Sequence, residues 1–469
     1  MSRVRETLER ELKLDVDASF ELPPLDGEPL AERVFTSTYH DTPARSLARA
    51  GITLRRRVEN GLSLWQLKLP RDGGARAELE APGGPAGPPP ELARLLVTHL
   101  RHGPLQPVAT LRTRRSGVRV ADGGRAVADV TVDAVDVLDA GRSAGGFVEL
   151  EAELVDGGGD DLERIGRALL AAGARPGDGR PKLMRVLELD GRAEPTGSTL
   201  TEQLRALLER QLLELEAHDP GARLGGDPED VHKLRVATRR ARALERAARP
   251  LLRDRLAGLA AELEWLGGEL GAVRDFDVLV DRLDREVEAL GSDAPGGREL
   301  LAALVRKREA QRGLLLQALD SERYPKLLCA FEDALLELPE LDGDAKTLAR
   351  RALAKLRSAA GRLPDDPADE ELHALRIRAK RARYAGELAA LGGGKAIDRY
   401  VEALKDVQDL IGEHQDLVVL EQTVRGLARA RSGVAAGRIV ERARERRAEL
   451  RAAYPAVLKA ALSAGAKAL

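Results

Sequence analysis

Acidic and basic residues recur at every second position near the start of the chain. The stretch "LERELKLD" aligns Glu9, Glu11 and Lys13, while Leu12 and Leu14 occupy the alternate positions. On a β-strand the three charged side chains share one face, whereas on a helix they scatter. Carboxylate oxygens bind hard divalent cations, and an ammonium group binds phosphate oxygens. The stretch therefore predicts a strand that could hold a metal ion and a phosphorylated ligand together.

The same alternation returns in several later segments, most of them with an apolar opposite face. In one reading, each strand lies in a half-exposed sheet whose charged face is solvated. In the other, the charged faces converge inside a closed barrel, and helices or a partner domain cover its apolar exterior. We favour convergence because both signs of charge recur at period two, as a polyphosphate ester or anhydride with its metal ions requires. The aligned residues are Arg55 with Arg57, Lys68 opposite Trp65, Leu67 and Leu69, Arg76 with Glu78 and Glu80, Arg112 with Arg114, and Glu149 with Glu151 and Glu153.

The segments that position these residues change character along the chain. Up to about residue 190, short alternating segments are broken by Gly and Pro, as in "APGGPAGPPP", which is typical of a β-rich domain. After "GRAEPTGSTL", leucines recur at helical spacing over long stretches. We therefore place a β-rich domain at residues 1–192, a linker near residues 192–198 and a helical domain at residues 199–469.

The composition argues against several classes of protein. At 469 residues the chain is too long for one core, and its single cysteine, Cys329, excludes an internal disulfide framework. A formal net charge of −2 and an aromatic content of 3% argue against nucleic acid as the partner. We find neither a signal-peptide pattern nor an apolar run long enough to span a bilayer. We therefore expect a cytoplasmic protein with no membrane partner.

The helical half contains a repeat. "HKLRVATRRAR" (residues 232–242) returns as "HALRIRAKRAR" (residues 373–383). In each copy a histidine and three cations fall at i, i+3, i+7 and i+10, which makes one stripe on a helix. One such stripe is typical of a solvated helix face, or of a face paired to acidic residues on a neighbouring helix. Because like charges along a stripe repel and the pattern occurs twice, we favour an anion as its partner. A metal site is disfavoured, since no second His or Cys stands at ligand spacing within either copy.

The first 190 residues resemble the CYTH superfamily, the triphosphate tunnel metalloenzymes. "ERELK" (residues 9–13) matches the ExExK signature, and "YHDT", "LRRR", Lys68, "RAELE", "TLRTRR", "VTVD", "VELE" and Lys182 follow in order. The resemblance implies an antiparallel eight-stranded β tunnel. It also implies hydrolysis or cyclisation of triphosphates, with Mg²⁺ or Mn²⁺ as the cofactor.

Carried over residue by residue, this resemblance implies three roles. The catalytic residues would be Glu9, Glu11, Glu149 and Glu151, which would also hold the metal ions and orient the attacking water. Either Glu78 or Glu80, and by preference Glu80, would add a metal ligand. The phosphate-binding residues would be Lys13, Arg55, Arg57, Lys68, Arg76, Arg112, Arg114 and Lys182.

Residues 200 to 465 resemble the CHAD domain, the conserved-histidine α-helical domain. The two repeats carry the resemblance, together with "VRDFDV" and "LKDVQDLIGEHQD". It implies an all-α domain of two related four-helix halves, with a basic surface between them that binds inorganic polyphosphate. The whole chain is then an α+β multidomain protein. The implied polyphosphate contacts are His232, Arg235, Arg239, Arg240, Arg242, His373, Arg376, Lys380, Arg381 and Arg383, with Lys233 and Arg274 as secondary candidates and Asp275, Asp277, Gln408 and Asp416 as scaffold.

One hypothesis leads, and two alternatives stay open. In the leading hypothesis the tunnel hydrolyses inorganic triphosphate or short polyphosphate, while the helical domain binds longer chains, which would also place the protein at polyphosphate granules. The first alternative is a non-catalytic polyphosphate-binding or targeting protein. The second is a nucleotide or thiamine triphosphatase, or a class IV-type adenylate cyclase. The low aromatic content argues modestly against this second alternative, because an organic substrate needs a shaped or aromatic pocket beside the tunnel mouth.

Overall fold

The structure is a computed structural model, and it describes residues 4–190, 195–252 and 254–469. The chain divides into two compact units, Met1–Ala193 and Glu194–Leu469. The predicted linker at residues 192–198 begins outside the described residues, and its described part, residues 195–198, forms neither helix nor strand. Within the described ranges, no helix is both long and apolar enough to cross a membrane.

An antiparallel sheet dominates the first unit. Its strands are β1 (Arg5–Glu9), β2 (Glu11–Asp15), β3 (Gly27–Asp41), β4 (Thr53–Glu59), β5 (Leu62–Pro70), β6 (Arg76–Pro82), β7 (Gln106–Asp122), β8 (Arg125–Asp139), β9 (Arg142–Leu154) and β10 (Arg175–Pro176). They lie side by side in the order β1-β6-β5-β4-β3-β7-β8-β9-β2-β10. Alternating apolar and charged residues favour strands that bury one face on a core, and the long strands β5 and β9 follow this pattern.

The two ends of this sheet order are joined by the chain itself. β1 pairs with β6, β2 pairs with β9, and only Arg10 separates β1 from β2. The sheet therefore curves until its two ends meet at the first strand of the chain, whose halves are β1, beside β6, and β2, beside β9. The sheet has ten strands and not the expected eight. One extra strand arises because the first strand is divided at Arg10 into β1 and β2, and the other is β10, which is only two residues long.

An apolar layer covers one face of the sheet. Leu14, Val130 and Leu150 pack there against Ile165 and Leu169 of helix α4 (Gly159–Ala171). The two α4 residues are four positions apart and so lie on the same side of the helix. Because neighbouring strand residues point to opposite faces, the charged residues between these apolar ones lie on the other face of the sheet. The helices of this unit are α1 (Ser46–Arg49), α2 (Pro90–Ala93), α3 (Val97–Leu100), α4 (Gly159–Ala171) and α5 (Lys182–Val186).

Helix α5 covers one end of the charged face, where that face becomes apolar. Its Leu183 and Met184 pack against Leu111 of β7 and Val135 of β8. Burial of these side chains fixes the position of the helix. Lys182, the first residue of α5, is buried as a consequence, with 8% of its surface exposed.

Helices make up the second unit. Consecutive helices from α6 to α9 pack against each other, and so do those from α11 to α14, while α10 packs on α6, α8 and α9. The described part of this unit thus adds one helix, α10, to the expected two sets of four, and α10 contributes the fully buried Tyr324 and Phe331 to the core. The helices are α6 (Leu200–Leu224), α7 (Pro228–Leu252), α8 (Ala257–Glu288), α9 (Ala294–Leu319), α10 (Arg323–Leu336), α11 (Ala345–Ala360), α12 (Asp369–Ala390), α13 (Lys395–Leu427) and α14 (Gly433–Ala468).

The two sequence repeats lie on helices that touch. The first repeat lies within α7 and the second within α12, and these two helices pack against each other. Buried small and apolar residues, such as Ala241 on α7 and Ala382 on α12, lie in the same turns as the cations. The repeated stripes are therefore brought into one neighbourhood by the packing of the helices that carry them.

A half-buried histidine links α6 to α7 and makes stability depend on pH. His218 Nδ1 lies 2.9 Å from Asp230 Oδ1, and its Nε2 lies 3.5 Å from Glu214 Oε2. Burial alone would lower the pKa of His218, but the two carboxylates outweigh it and raise that pKa to about 9. A raised pKa stabilises the fold fully below the unfolded value of about 6.5, and this stabilisation is lost as pH rises through about 9.

We therefore expect His218→Gln to lower the free energy of unfolding by on the order of 2 kcal/mol at pH 6. The deficit should shrink towards zero at pH 10, where the wild-type imidazole is neutral as well. Urea unfolding of both proteins at the two pH values measures the effect. A deficit of equal size at pH 6 and pH 10 would show that His218 acts through packing alone.

Candidate active site and basic helix face

Charged side chains from neighbouring strands and from α5 meet on the face of the sheet opposite α4. The strand register places Lys13 of β2 opposite Glu151 of β9, and Asp133 of β8 opposite Glu149 of β9. Residues two apart on a strand share a face, so these pairs bring a continuous charged surface together. We call this group the acidic centre, and it consists of Glu11, Lys13, Arg115, Asp133, Glu149, Glu151 and Lys182.

Two lysines hold the carboxylates of the acidic centre together. Lys182 Nζ lies 2.6 Å from Glu151 Oε1 and 3.1 Å from Asp133 Oδ2, and it also contacts Glu149 Oε2. Lys13 Nζ lies 2.7 Å from the same Glu151 oxygen and 3.5 Å from Glu149 Oε2. Buried charges are tolerated when they are paired. The centre is therefore a compact set of mutually neutralised groups.

Arg115 fixes the orientation of two of these carboxylates. Its Nε and Nη2 donate to the two oxygens of Asp133 at 2.7 Å each, and Nη2 also donates to Glu151 Oε2 at 2.7 Å. Asp133 has no exposed surface. A bidentate guanidinium–carboxylate pair combines charge with a fixed geometry. Arg115 therefore holds the wall of the acidic centre in place.

The two glutamates of β9 differ in their pKa. Burial raises the pKa of Glu149 above its ordinary value. Burial also opposes ionisation of Glu151, but Lys13, Lys182 and Arg115 outweigh it and hold the pKa of Glu151 well below its ordinary value. One carboxylate is thus firmly ionised, while its neighbour takes up a proton more easily.

A second charged group lies where β1, β5 and β6 meet. Lys68 Nζ lies 2.6 Å from Glu9 Oε2 and 3.6 Å from Glu78 Oε1. Burial and the neighbouring Glu78 carboxylate raise the pKa of Glu9 to about 8. Glu9 and Glu78 thus share one cation, Lys68, and the raised pKa of Glu9 favours a proton on it. A divalent cation bound beside these two carboxylates would reduce the repulsion between them.

The charged face has the donor chemistry that a hard divalent cation requires. Glu149 Oε2 and Glu78 Oε1 are buried, and neither accepts a hydrogen bond of good geometry from the described residues. Oxygen donors of this kind fit Mg²⁺ or Mn²⁺. Glu80, in contrast, accepts a hydrogen bond from Gln66 Nε2 at 2.6 Å, so Glu78 is better placed than Glu80 to add a ligand beside Glu9. The residues that could hold a cation are Glu9, Glu11, Glu78, Glu149 and Glu151.

Three further predicted arginines lie on the same face. Arg55 donates to Gln66 Oε1 at 2.8 Å and to the Tyr39 hydroxyl at 3.2 Å, which fixes its guanidinium. Arg57 donates to Glu59 Oε2 at 2.6 Å, and its guanidinium carbon lies 3.7 Å from the Phe35 ring centroid. The third, Arg76, donates to the carbonyl of Gly51 at 2.7 Å. All three could turn towards an anion that enters this face.

Arg112 and Arg114 do not belong to this face. The structure places Arg115 there instead, one residue away from the alignment expected from sequence. Arg114 is exposed and lies 3.9 Å from Glu32, and Arg112 is also exposed. The segment "TLRTRR" offers two faces, and the sequence prediction chose the face of Arg112 and Arg114, which the structure leaves exposed. The pairing of Arg115 with Asp133 across β7 and β8 places Arg115 on the charged face. Asp133, the last residue of "VTVD", is the residue of the sequence that could have indicated this pairing.

The helical unit gathers cations where α7 meets α12. We call Arg235, Arg239, Arg376, Lys380 and Arg383 the basic face. Arg239 Nε is buried and makes no hydrogen bond to the described residues. Burial, together with the four neighbouring arginines, lowers the pKa of Lys380 to about 7. So low a pKa for an ammonium reflects its burial first and then the repulsion by the cations held close to it.

The other predicted contacts have protein partners or lie at the margin of this face. Arg240 contacts Glu387 at 3.3 Å, the carboxylate that it shares with Arg383 of the basic face, and Arg242 Nη2 lies 2.5 Å from Glu264 Oε1. His373 and Arg381 are exposed. Burial and Arg274 lower the pKa of His232, so it carries little charge near neutrality. Paired cations remain available to an anion only if it displaces their carboxylate partners.

The residues expected to act as scaffold divide into two groups. Asp275 pairs with Arg235 at 2.7 Å, and the Gln408 carbonyl accepts from Arg376 Nε at 3.4 Å, so both contact the basic face. Asp277 instead pairs with Arg308 of α9. Asp416 lies near Arg376, which opposes the rise that burial causes in the Asp416 pKa.

Comparison with known protein families finds two domains in the chain. The model of the CYTH domain matches residues 7–173, and the model of the CHAD domain matches residues 206–425. Two uncharacterized proteins of Mycobacterium tuberculosis, from strains CDC 1551 and H37Rv, are each 35% identical over 463 residues. The match covers 88% of this chain and 87% of each relative.

Solved structures with similarity to parts of the chain include one for each half. The CHAD domain from the plant Ricinus communis is 33% identical, with a TM-score of 0.47, and the match covers 60% of this chain and 96% of that one. A candidate adenylyl cyclase from Hippeastrum, described as having a dominant triphosphatase activity, is 15% identical, with a TM-score of 0.25. That match covers 40% of this chain and 96% of the other.

Proposed function

The chain belongs to the family of proteins in which a CYTH domain is followed by a CHAD domain, and on this premise we propose that it hydrolyses inorganic triphosphate or short polyphosphate. The CYTH domain supports an enzyme of the phosphoryl-transfer or hydrolase type. CYTH proteins generally depend on a divalent metal, and we propose Mg²⁺ or Mn²⁺ here. We further propose that the curved sheet encloses a tunnel in which the reaction takes place.

The acidic centre is the observation that carries this proposal. Burying several carboxylates and cations together is costly, and a purely structural core of apolar residues would be at least as stable. Such a cluster is explained by a ligand that is itself both anionic and metal-bound. Triphosphate with a divalent cation has this character, since its charge needs both cationic side chains and metal ions.

Each part of the charged face has a role in this proposal. Glu9, Glu11, Glu149 and Glu151 would hold the metal, which when bound neutralises charge at phosphorus and activates water. Lys13 and Lys182 now neutralise those carboxylates and would become free to bind phosphate oxygens. The guanidinium groups that would orient the phosphate chain are those of Arg55, Arg57, Arg76 and Arg115, and Lys68 would join them.

The basic face supports a second part of the proposal, namely that the helical unit binds inorganic polyphosphate. Its cations come from two adjacent helices, and only Arg235 and Arg383 of the five form ion pairs with described carboxylates, Asp275 and Glu387. A flexible chain of repeating phosphates could contact many of these cations in succession. Such binding weakens as salt rises. Association of the protein with polyphosphate granules would follow from it.

Release of orthophosphate from tripolyphosphate, with Mg²⁺ or Mn²⁺ present, tests the catalytic proposal. Glu9→Ala and Glu11→Ala should abolish turnover, while Glu32→Ala, an exposed glutamate of the same unit, should leave it unchanged. Absence of turnover in the wild-type protein would refute the proposal, and tight binding without turnover would favour a non-catalytic polyphosphate-binding protein. Comparison with pyrophosphate, long-chain polyphosphate, ATP and thiamine triphosphate would identify the preferred substrate.

Lys380 should couple polyphosphate binding to proton uptake. In the free protein its pKa of about 7 reflects burial and the cations that face it, Arg235 and Arg239 from α7 and Arg376 and Arg383 from α12. A bound polyanion favours the charged ammonium and raises that pKa. Close to one proton should therefore be taken up on binding at pH 8, and the affinity should fall as pH rises from 7 towards 10.

Calorimetry of long-chain polyphosphate binding at pH 8, in two buffers of different ionisation enthalpy, measures this uptake. The interior phosphates of a long chain do not titrate near neutrality, so the ligand contributes little. Lys380→Arg is the matched control, because arginine remains charged throughout this range. Equal proton uptake by the wild type and by Lys380→Arg would show that Lys380 is not the group involved.

A further inference from the structure

A cavity of about 600 Å³ opens between α7, α11 and α12, and its lining combines two kinds of surface. Eight arginine and lysine side chains line it, and no carboxylate of the described residues does so. Four of these cations, Arg246, Arg351, Lys355 and Arg378, are outside the set expected from the sequence. The cavity therefore extends the cationic region beyond the basic face towards α11.

The rest of the lining is apolar. Leu348 and Ala352 of α11, Ile377 of α12 and Pro250 of α7 are among these residues. Ile377 is 38% exposed, although it lies among arginines. An inorganic phosphate chain gains nothing from an apolar floor, because all of its atoms that meet the protein are charged or polar. The floor is explained by a ligand that also has an apolar or aromatic body.

A buried hydroxyl points to the same conclusion. Tyr384 lines the cavity and is 1% exposed, and its hydroxyl makes no hydrogen bond to the described residues. A buried hydroxyl without a partner costs free energy, and a ligand or a water bound in the cavity would offset that cost. Arg239, whose Nε is also buried without a hydrogen-bond partner, lines the same cavity.

We propose that this cavity binds an organic polyphosphate of nucleotide size, whose phosphates contact Arg239 and Lys380 and whose planar body lies over Leu348 and Ile377. The Tyr384 hydroxyl would hydrogen-bond to that body. The arginine guanidinium groups that line the cavity offer planar surfaces on which an aromatic ring can stack. The four charges of a nucleoside triphosphate are a better match for eight cations than those of a monophosphate. The site goes beyond inorganic polyphosphate binding, although the two ligands would share Arg239 and Lys380.

Calorimetric titration of the full chain with ATP, in EDTA so that divalent-metal-dependent hydrolysis is silent, tests the proposal. Tyr384→Phe and Ile377→Ala should each weaken ATP binding by about three- to tenfold. Neither should change the affinity for inorganic tripolyphosphate, and Tyr384→Phe removes a hydroxyl without a partner, so it should fold normally. Val434→Ala removes a similar exposed apolar side chain outside the cavity, and it should change neither affinity. Arg57→Ala, in the sheet unit, should leave the cavity-dependent part of ATP binding intact.

The outcomes separate this inference from the proposed function. ATP binding that is absent, or that Tyr384→Phe and Ile377→Ala leave unchanged, overturns the cavity proposal alone as long as inorganic polyphosphate still binds. Equal weakening of ATP and tripolyphosphate binding also overturns it, since the cavity would then recognise phosphate only. If neither ligand binds to the helical unit, both the cavity proposal and the polyphosphate proposal fail.

Discussion

Glu149→Gln is expected to lower the rate of tripolyphosphate hydrolysis by at least about 10²-fold. Glu149 lies 3% exposed in the acidic centre, and its Oε2 contacts Lys182 without accepting a hydrogen bond of good geometry. Glutamine has the same size but cannot supply the negative charge that a divalent cation needs. The loss should therefore appear mainly in metal-dependent turnover, measured as orthophosphate release at saturating Mg²⁺ or Mn²⁺.

Two comparisons make this result specific. Glu32→Gln is the matched control, because Glu32 is an exposed glutamate whose nearest described cation, Arg114, lies 3.9 Å away. Its turnover should equal that of the wild type. Glu149→Gln should also unfold at close to the wild-type temperature, since Lys182 keeps two other carboxylate partners, Asp133 and Glu151. Wild-type turnover in Glu149→Gln would remove Glu149 from the catalytic machinery.

The sequence was sufficient to predict the charged face because period-two alternation has a direct structural meaning. A shared face for Glu9, Glu11 and Lys13 follows from strand geometry alone, and the structure gives it. The same argument places Glu149 and Glu151 on the face of Lys13, with Glu151 directly opposite it, once β2 and β9 pair. Alternation does not specify which strands pair, so distances such as the 2.7 Å between Lys13 and Glu151 required the structure.

Other parts of the site depend on contacts that a local pattern does not contain. Arg115 differs from Arg112 and Arg114 only in register, and a shift of one residue exchanges the two faces of a strand. The partners of Arg115 come from β8 and β9 and thus depend on long-range pairing. In the same way α10 was not expected as a separate helix, since its role is to fill space between α6, α8 and α9.

The basic face illustrates how binding can be favoured at the expense of stability. Arg235, Arg239, Arg376, Lys380 and Arg383 repel one another, and the lowered pKa values of Arg376 and Lys380 record this repulsion together with burial. Carboxylates offset part of this repulsion at the edges of the face, where Arg235 pairs with Asp275 and Arg383 with Glu387, whereas Arg239 and Lys380 form no ion pair with a described carboxylate. Uncompensated repulsion is instead expected where a ligand supplies the missing charge.

Arg239→Gln combined with Lys380→Gln should therefore change binding and stability in opposite directions. Without two charge-assisted hydrogen bonds to phosphate, long-chain polyphosphate should bind at least about 10²-fold more weakly at low salt. The slope of log affinity against log salt should become shallower by about 0.7 for each phosphate that the variant no longer neutralises. Relief of repulsion should raise the unfolding temperature by a few degrees, because about 1 kcal/mol shifts it by roughly 2–4 °C in a domain of this size.

Lys326→Gln removes one exposed charge from α10, and it should leave both binding and stability close to wild type. A double variant that binds normally, or that loses binding because it is less stable, would mean that these cations support the fold and not a polyanion.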